Sequence, residues 1–211
     1  MPLLFDHIAF FDAVRVNIFH GISQTQVAGC EAILTEAERR GLGNPETAYI
    51  LATVFWETGR AMQPVKEIGQ GRGRAYGMAD PVTKKIYYGR GLVQLTWKEN
   101  YAKFAKVCGA DLVDHPDLAL QLPIALKVVF EGMTEGLFTG KKLGDYLSAS
   151  IPDYAGARRI VNGTDQANTI ASYARQFEVA LIAAPVPAAP PASATATQRG
   201  IFNRLKSYLG Y

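Results

Sequence analysis

The sequence predicts a mainly α domain with a small β- and loop-rich lobe inserted between its helices. Apolar residues recur at helical spacing on both sides of the chain's middle. Helix start and stop residues stand where those patterns begin and end. Between them, residues 64–96 break the periodicity. Glycines cluster at 69, 71, 73, 77, 89 and 91, with Tyr76, Tyr87 and Tyr88 interspersed, as in loops with short strands. Apolar residues make up 48% of the 211, enough for one sizeable core.

Leu4, Ile8, Phe11, Val14 and Ile18 predict an amphipathic helix over 4–19. A second helix starts at Ser23, where Ser-x-x-Gln forms a capping box with Gln26, and runs from there to Arg40 and Gly41. A third starts with Asn44 as cap and Pro45 in the first helical position. Its body, Ala48 to Trp56, is apolar on all sides and is expected to be buried; Gly59 and Pro64 end it. Helical patterns resume over 97–108, 123–138, 153–161 and 165–183. The folded domain is therefore assigned to 1–183. Residues 184–198 are dominated by Ala, Pro, Ser and Thr and read as a linker. Residues 199–211 form a short basic amphipathic segment, with Ile201, Phe202, Leu205 and Leu209 on one helical face. Such a segment could touch a membrane surface or dock on its own domain.

The net charge is +3, which suits an anionic polymer without demanding nucleic acid. The charges are scattered rather than gathered on one face, so nucleic-acid binding is not expected. Cys30 and Cys108 fall in apolar helical patterns and are expected to be buried free thiols, as in a reducing cytosol. His7, His20 and His115 read as isolated; no metal and no cofactor are assigned. The N-terminus lacks a basic segment before its apolar stretch, so it makes a poor secretory signal.

Two acids beside the irregular lobe invite acid–base chemistry. Glu57 ends the apolar third helix, where desolvation and the negative helix end both disfavour the charged form, as a proton donor requires. A plain helix-end pair with Arg60 is the alternative. Glu67 follows Pro64 in a polar stretch with Lys66, Arg72 and Arg74 nearby, which suits an ionised base; an ordinary solvated loop acid is the alternative. Ten extended residues span up to about 35 Å, so spacing alone leaves the two acids near or far. Downstream, Gln94 and Thr96 alternate with Val93 and Leu95. On a strand the polar pair would share one face, either lining a cleft or simply exposed.

The string from Tyr87 to Trp97, Tyr-Tyr-Gly-Arg-Gly-Leu-Val-Gln-Leu-Thr-Trp, with Asn100 and Tyr101 after it, resembles the long signature of glycoside hydrolase family 19, the chitinase family. The resemblance is closer to the family's phage and prophage endolysin branch and covers roughly residues 20–182. Trp56-Glu57-Thr58 is similar to the segment holding the family's catalytic acid, and Pro64 to Glu67 to the one holding its second carboxylate. Ala157 to Gly163 is similar to its cleft-lining Asn-Gly segment. The resemblance implies a helical, lysozyme-like α+β fold. Glu57 would protonate the glycosidic oxygen, and Glu67 would activate water with help from Thr96. Gln94, Asn100 and Asn162 would hydrogen-bond sugar, and Tyr88 and Arg90 would shape the site. Two departures stand out: Trp56 occupies a position that is often His, and the loops that lengthen the cleft in plant chitinases are missing.

These readings lead to a peptidoglycan-cleaving endolysin, acting as a monomer on peptidoglycan glycan strands. It would be made in the host cytoplasm and act in the periplasm or cell wall after holin-type release. A chitinase and a non-catalytic wall-binding or virion module are the alternatives.

Overall fold

The computed structural model describes residues 6–182. The linker assigned to 184–198, the amphipathic segment 199–211 and position 4 lie outside the described residues. The fold is mainly helical with a two-stranded sheet, as predicted. No helix among the described residues is long and apolar enough to cross a membrane.

Helix α1 (His7–Val14) is capped by Asp6, whose side chain accepts the Ala9 N–H. The predicted single helix over 4–19 is instead α1 followed by a π-helical turn over Arg15–Phe19, ending at His20 with φ 54°. Helix α2 (Gln24–Arg40) keeps its predicted Ser23–Gln26 capping box and stops at Gly41, whose φ of 68° a side chain would strain. Helix α3 (Asn44–Glu57) starts one residue earlier than predicted. Gly43, not Asn44, is the cap, because the Glu46 carboxylate reaches back to the Gly43 N–H at 2.7 Å; Pro45 then falls in the second position.

Residues Ala48 to Phe55 of α3 are buried throughout, while Trp56 is 37% exposed. Helix α7 (Ala167–Ile182) packs along α3. Phe55 touches Phe177 at 5.8 Å and Phe19 at 5.2 Å, so aromatic contacts tie α3, α7 and the π-helical turn into one core. Helices α4 (Lys98–Cys108), α5 (Leu122–Thr134) and the short α6 (Gly144–Leu147) complete the helical part. The pattern over 123–138 stops at Thr134, before Gly136 with φ 71°. The pattern over 153–161 yields only a 3-10 turn at Gly156–Ile160, entered through an Asp153 carboxylate bond to the Gly156 N–H.

The inserted lobe holds strands β1 (Val65–Lys66) and β2 (Arg90–Gly91), antiparallel, with Val65 opposite Gly91 and Lys66 opposite Arg90. Gln94, Leu95 and Thr96 do not form the predicted strand. Arg90 and Leu95 exchange backbone bonds at 3.2 and 2.9 Å across a tight turn, and Gln94 sits at φ 54° within it. Val93 and Leu95 are still buried and Gln94 and Thr96 half-buried, so the alternation reports burial although a turn produces it.

Cys30 is buried, but Cys108 is half-buried rather than fully buried; both are free thiols. His7 is not isolated. Its Nδ1 meets Glu31 at 2.8 Å and its Nε2 meets Glu38 at 3.1 Å, joining α1 to α2. Burial pushes the imidazole down, but the bonds and charges of Glu31 and Glu38 together outweigh it and lift it to about 8. A group raised on folding stabilises fully below its ordinary value, 6.5, and loses that contribution as pH climbs through about 8. Denaturant unfolding is therefore expected to show about 2 kcal/mol less stability at about pH 9 than at about pH 6 from this group. His7→Gln should remove that part of the difference. A pH dependence identical in the two proteins would refute it.

Candidate active site

The site is organised where α3 ends. Thr58 caps the helix: its hydroxyl donates to the Val54 carbonyl at 2.7 Å and accepts the Met62 N–H at 3.0 Å. Gly59, Arg60 and Met62 all take positive φ, so the chain folds back instead of extending toward β1. The Met62 carbonyl lies against Gly29 of α2, where any Cβ would collide with it. Gly29→Ala is expected to cost about 2 kcal/mol and lower Tm by about 4–8 °C, since the wedge separates α2 from the turn behind Glu57. Thermal unfolding checks this, and an unchanged Tm would show that the turn yields freely.

Glu57 is the last residue of α3, with its side chain 15% exposed. Its Oε1 accepts from Arg158 Nη1 at 2.7 Å. Arg158 is itself 4% exposed and also donates from Nε to the Asp165 carbonyl. The seat of Glu57 is thus not purely apolar as predicted, and the cation in it is not Arg60. That guanidinium is exposed, stacks over the Phe55 ring at 5.5 Å and reaches Tyr173. The sequence placed Arg158 in a recognisable segment but gave it no role. Of the adjacent Arg158 and Arg159, only the first is buried, and nothing local distinguishes them.

Glu67 follows β1 and is half-buried, with both oxygens engaged. Oε1 accepts the Tyr76 hydroxyl at 2.8 Å and Oε2 accepts the Gly89 N–H at 2.9 Å, while the Glu67 N–H donates to the Gly89 carbonyl. Half-buried Glu67 keeps part of the expected solvent, but its hydrogen-bond partners are these neutral donors rather than cations. Arg72 and Arg74 are exposed, and Lys66 pairs with Asp117 instead. Gly89 permits the approach, because a Cβ there would stand 2.8 Å from Gln94 Oε1 and 3.2 Å from Glu67 Cβ. Gln94 therefore lies beside Glu67, its Nε2 donating to the Val65 carbonyl at 3.3 Å. Thr96 is half-buried, and its hydroxyl has no protein partner among the described residues, which leaves it able to hold a water. Asn100, on the first turn of α4, donates from Nδ2 to the Thr96 carbonyl at 3.0 Å and keeps its amide oxygen for other bonds. Asn162 is exposed one turn beyond Arg158, to whose carbonyl its N–H donates.

Tyr88 and Arg90 flank Gly89, the residue whose N–H holds Glu67. The Arg90 guanidinium lies 3.5 Å from the Tyr88 ring centre and donates to the Ile86 and Tyr88 carbonyls, the Tyr101 hydroxyl and Asp117. Both line a depression of about 620 Å³ that neither Glu57 nor Glu67 borders. Their work is to fix the β2 backbone from which Gly89 reaches Glu67. Tyr76 was noted in the sequence only as one aromatic among the glycines. Asp117 carried no signal at all.

A mainly helical domain with a small two-stranded lobe is consistent with a lysozyme-like fold. In comparison with known proteins, residues 69–134 match the family model of class I chitinases, glycoside hydrolase family 19. That match contains Tyr76, Gln94, Thr96 and Asn100, and leaves Glu57, Glu67 and Asn162 outside it. The chain is 30% identical over 121 residues to an endochitinase of Arabidopsis thaliana, covering 54% of this chain and 42% of the relative. Against chitinase 3 of Oryza sativa subsp. japonica it is 29% identical over 92 residues, 37% of this chain and 29% of the relative. Over 34 residues it is 50% identical to inactive chitinase-like protein 1 of Hevea brasiliensis, 16% of this chain and 11% of the relative. The chain spans less than half the length of these curated relatives.

Proposed function

We propose that this chain hydrolyses the glycan strands of bacterial peptidoglycan, as an endolysin does. The observation that carries hydrolysis is a pair of glutamates held by unlike partners, Glu57 by the buried Arg158 and Glu67 by Tyr76 and the Gly89 N–H. Glu57 gives its proton to the glycosidic oxygen as that bond breaks. Water attacks the anomeric carbon and passes a proton to Glu67, with the Thr96 hydroxyl and the Gln94 amide orienting it. Arg158 offsets the negative charge that Glu57 acquires. Attack from the face opposite the leaving group inverts the anomeric centre.

Charge favours peptidoglycan over chitin. Chitin is uncharged, whereas peptidoglycan carries lactyl and peptide carboxylates. Arg60, Arg72, Arg74 and Arg159 are exposed on the segments around the two glutamates, and the chain is net positive. In a lysis role the enzyme reaches the wall from the cytoplasm through a holin-type lesion. The relatives' names favour chitin instead, and the similarity to an inactive chitinase-like protein favours a non-catalytic wall binder.

Mass spectrometry of products from purified peptidoglycan and from chitin oligomers separates the three. We expect new reducing ends from peptidoglycan, with inverted configuration and a rate that salt reduces. Products from chitin oligomers alone would make the chain a chitinase. Wall binding without products would make it a binding module.

A further inference from the structure

We infer that Tyr49 and Thr53 are positioning residues for the Arg158–Glu57 pair, acting through water held inside the domain behind the acid. The inference rests on the hydrolase reading above. Tyr49, Thr53 and Glu57 follow one another at four-residue spacing along α3, so their side chains share one face of the helix. The chain around the Gly156–Ile160 turn covers that face. The Tyr154 ring stacks on the Tyr49 ring with centres 6.3 Å apart, and Arg158 meets Glu57 at 2.7 Å. A column of polar side chains thus runs through the interior and ends on the acid.

Tyr49 and Thr53 are 0% exposed, yet Tyr49 Oη and Thr53 Oγ1 have no hydrogen-bond partner among the described residues. Other threonines use what a helix offers: Thr58 donates to the Val54 carbonyl and Thr134 to the Phe130 carbonyl, each four residues back. Thr53 has the Tyr49 carbonyl at the same offset and leaves it unused, so its hydroxyl is turned elsewhere. The phenol lies among charges. Burial pushes it up, Arg158 and then Thr53 draw it back, and Glu57 and Asp153 push it further up. The Thr53 hydroxyl is therefore near enough to act on the phenol, although no direct bond joins them. A polar gap slightly wider than a hydrogen bond is where a bridging water fits, and buried hydroxyls left unpaired are costly enough to be rare.

Arg158 commits Nη1 to Glu57 and Nε to the Asp165 carbonyl. In the proposed reaction Glu57 passes from neutral to charged and back in every turnover. A hydroxyl rotates to donate or accept as required, and so does water. The column therefore keeps the guanidinium aligned with the acid in both of its states.

Tyr49→Phe and Thr53→Val each take away one hydroxyl at nearly constant volume. Each is expected to lower kcat for reducing-end release from peptidoglycan about tenfold with KM unchanged. The double variant should be scarcely slower than either single one, because the same water serves both hydroxyls. Thr53→Ser keeps the hydroxyl and should keep most of the rate. In the Glu57→Gln chain, Tyr49→Phe should change the residual rate no further. A kcat within about twofold of the natural protein in both single variants, or an equal fall in the Glu57→Gln chain, would overturn the positioning role and leave the hydrolase reading standing. A high-resolution crystal structure of the natural chain with no water density between the two hydroxyls would overturn it as well, and needs no variant to fold. No products from either glycan with the natural chain would end both.

Discussion

Replacing Glu57 with Gln is expected to slow glycan cleavage about a thousandfold while the domain stays folded. The amide has nearly the shape of the acid and no proton to give a leaving oxygen. Its carbonyl still accepts from Arg158 Nη1, and Arg158 keeps its second bond to the Asp165 carbonyl. The change nevertheless weakens the bond within a pair whose side chains are only 15% and 4% exposed, so a stability loss of about 1–3 kcal/mol should accompany it. That loss leaves a domain of ordinary stability mostly folded, so unfolding does not account for the missing rate. Reducing-end release from peptidoglycan, measured with Tm on the same sample, checks both parts. A rate within tenfold of the natural protein would remove Glu57 from the chemistry.

The second large effect falls on the frame. Arg90→Leu is expected to destabilise the domain by about 3–5 kcal/mol and lower Tm by roughly 8–15 °C. Arg90 is 4% exposed, and its guanidinium serves the Ile86 and Tyr88 carbonyls, the Tyr101 hydroxyl and Asp117. Leucine leaves the Ile86 carbonyl and the Tyr101 hydroxyl without this donor, and the Tyr88 carbonyl with the Tyr101 hydroxyl alone. The Asp117 pair contributes the smaller share, because that carboxylate is 59% exposed and water replaces its partner. Burial pushes the Tyr101 phenol up to about 12 even with Arg90 beside it, so Tyr101 stays a neutral donor to the Tyr88 carbonyl. Arg90→Lys should recover only part of the loss, since one ammonium cannot reach partners arrayed around a planar fork. Because Gly89 adjoins Arg90 and holds Glu67, cleavage should fall together with Tm. Arg90→Leu unfolding within about 2 °C of the natural protein would show that Arg90 is dispensable to the frame.

Much of the architecture could be read from local rules. The Ser23–Gln26 box, the Gly41 stop and the buried body of α3 each depend on residues within a few positions of one another. The errors were also local. Glu46 moved the α3 cap to Gly43, and the left-handed Gln94 turned a supposed strand into a tight turn. In that turn the burial pattern imitated a strand, because apolar side chains seek the core whatever backbone carries them.

From the sequence alone came the helical class, the interrupting lobe, the two candidate glutamates and the family resemblance of residues 87–101, since periodicity, capping and motif are written in neighbouring residues. Tertiary structure alone decided the partners. It chose Arg158 over Arg60 for Glu57 and Tyr76 with the Gly89 N–H over Arg72 and Arg74 for Glu67, and it drew His7 to Glu31 and Glu38. Arg158 lies 101 positions from Glu57, and a contact across that separation leaves no repeat in the chain. Which of two adjacent arginines turns inward depends on how α3 and the Gly156–Ile160 turn pack, and packing exists only once the chain has folded.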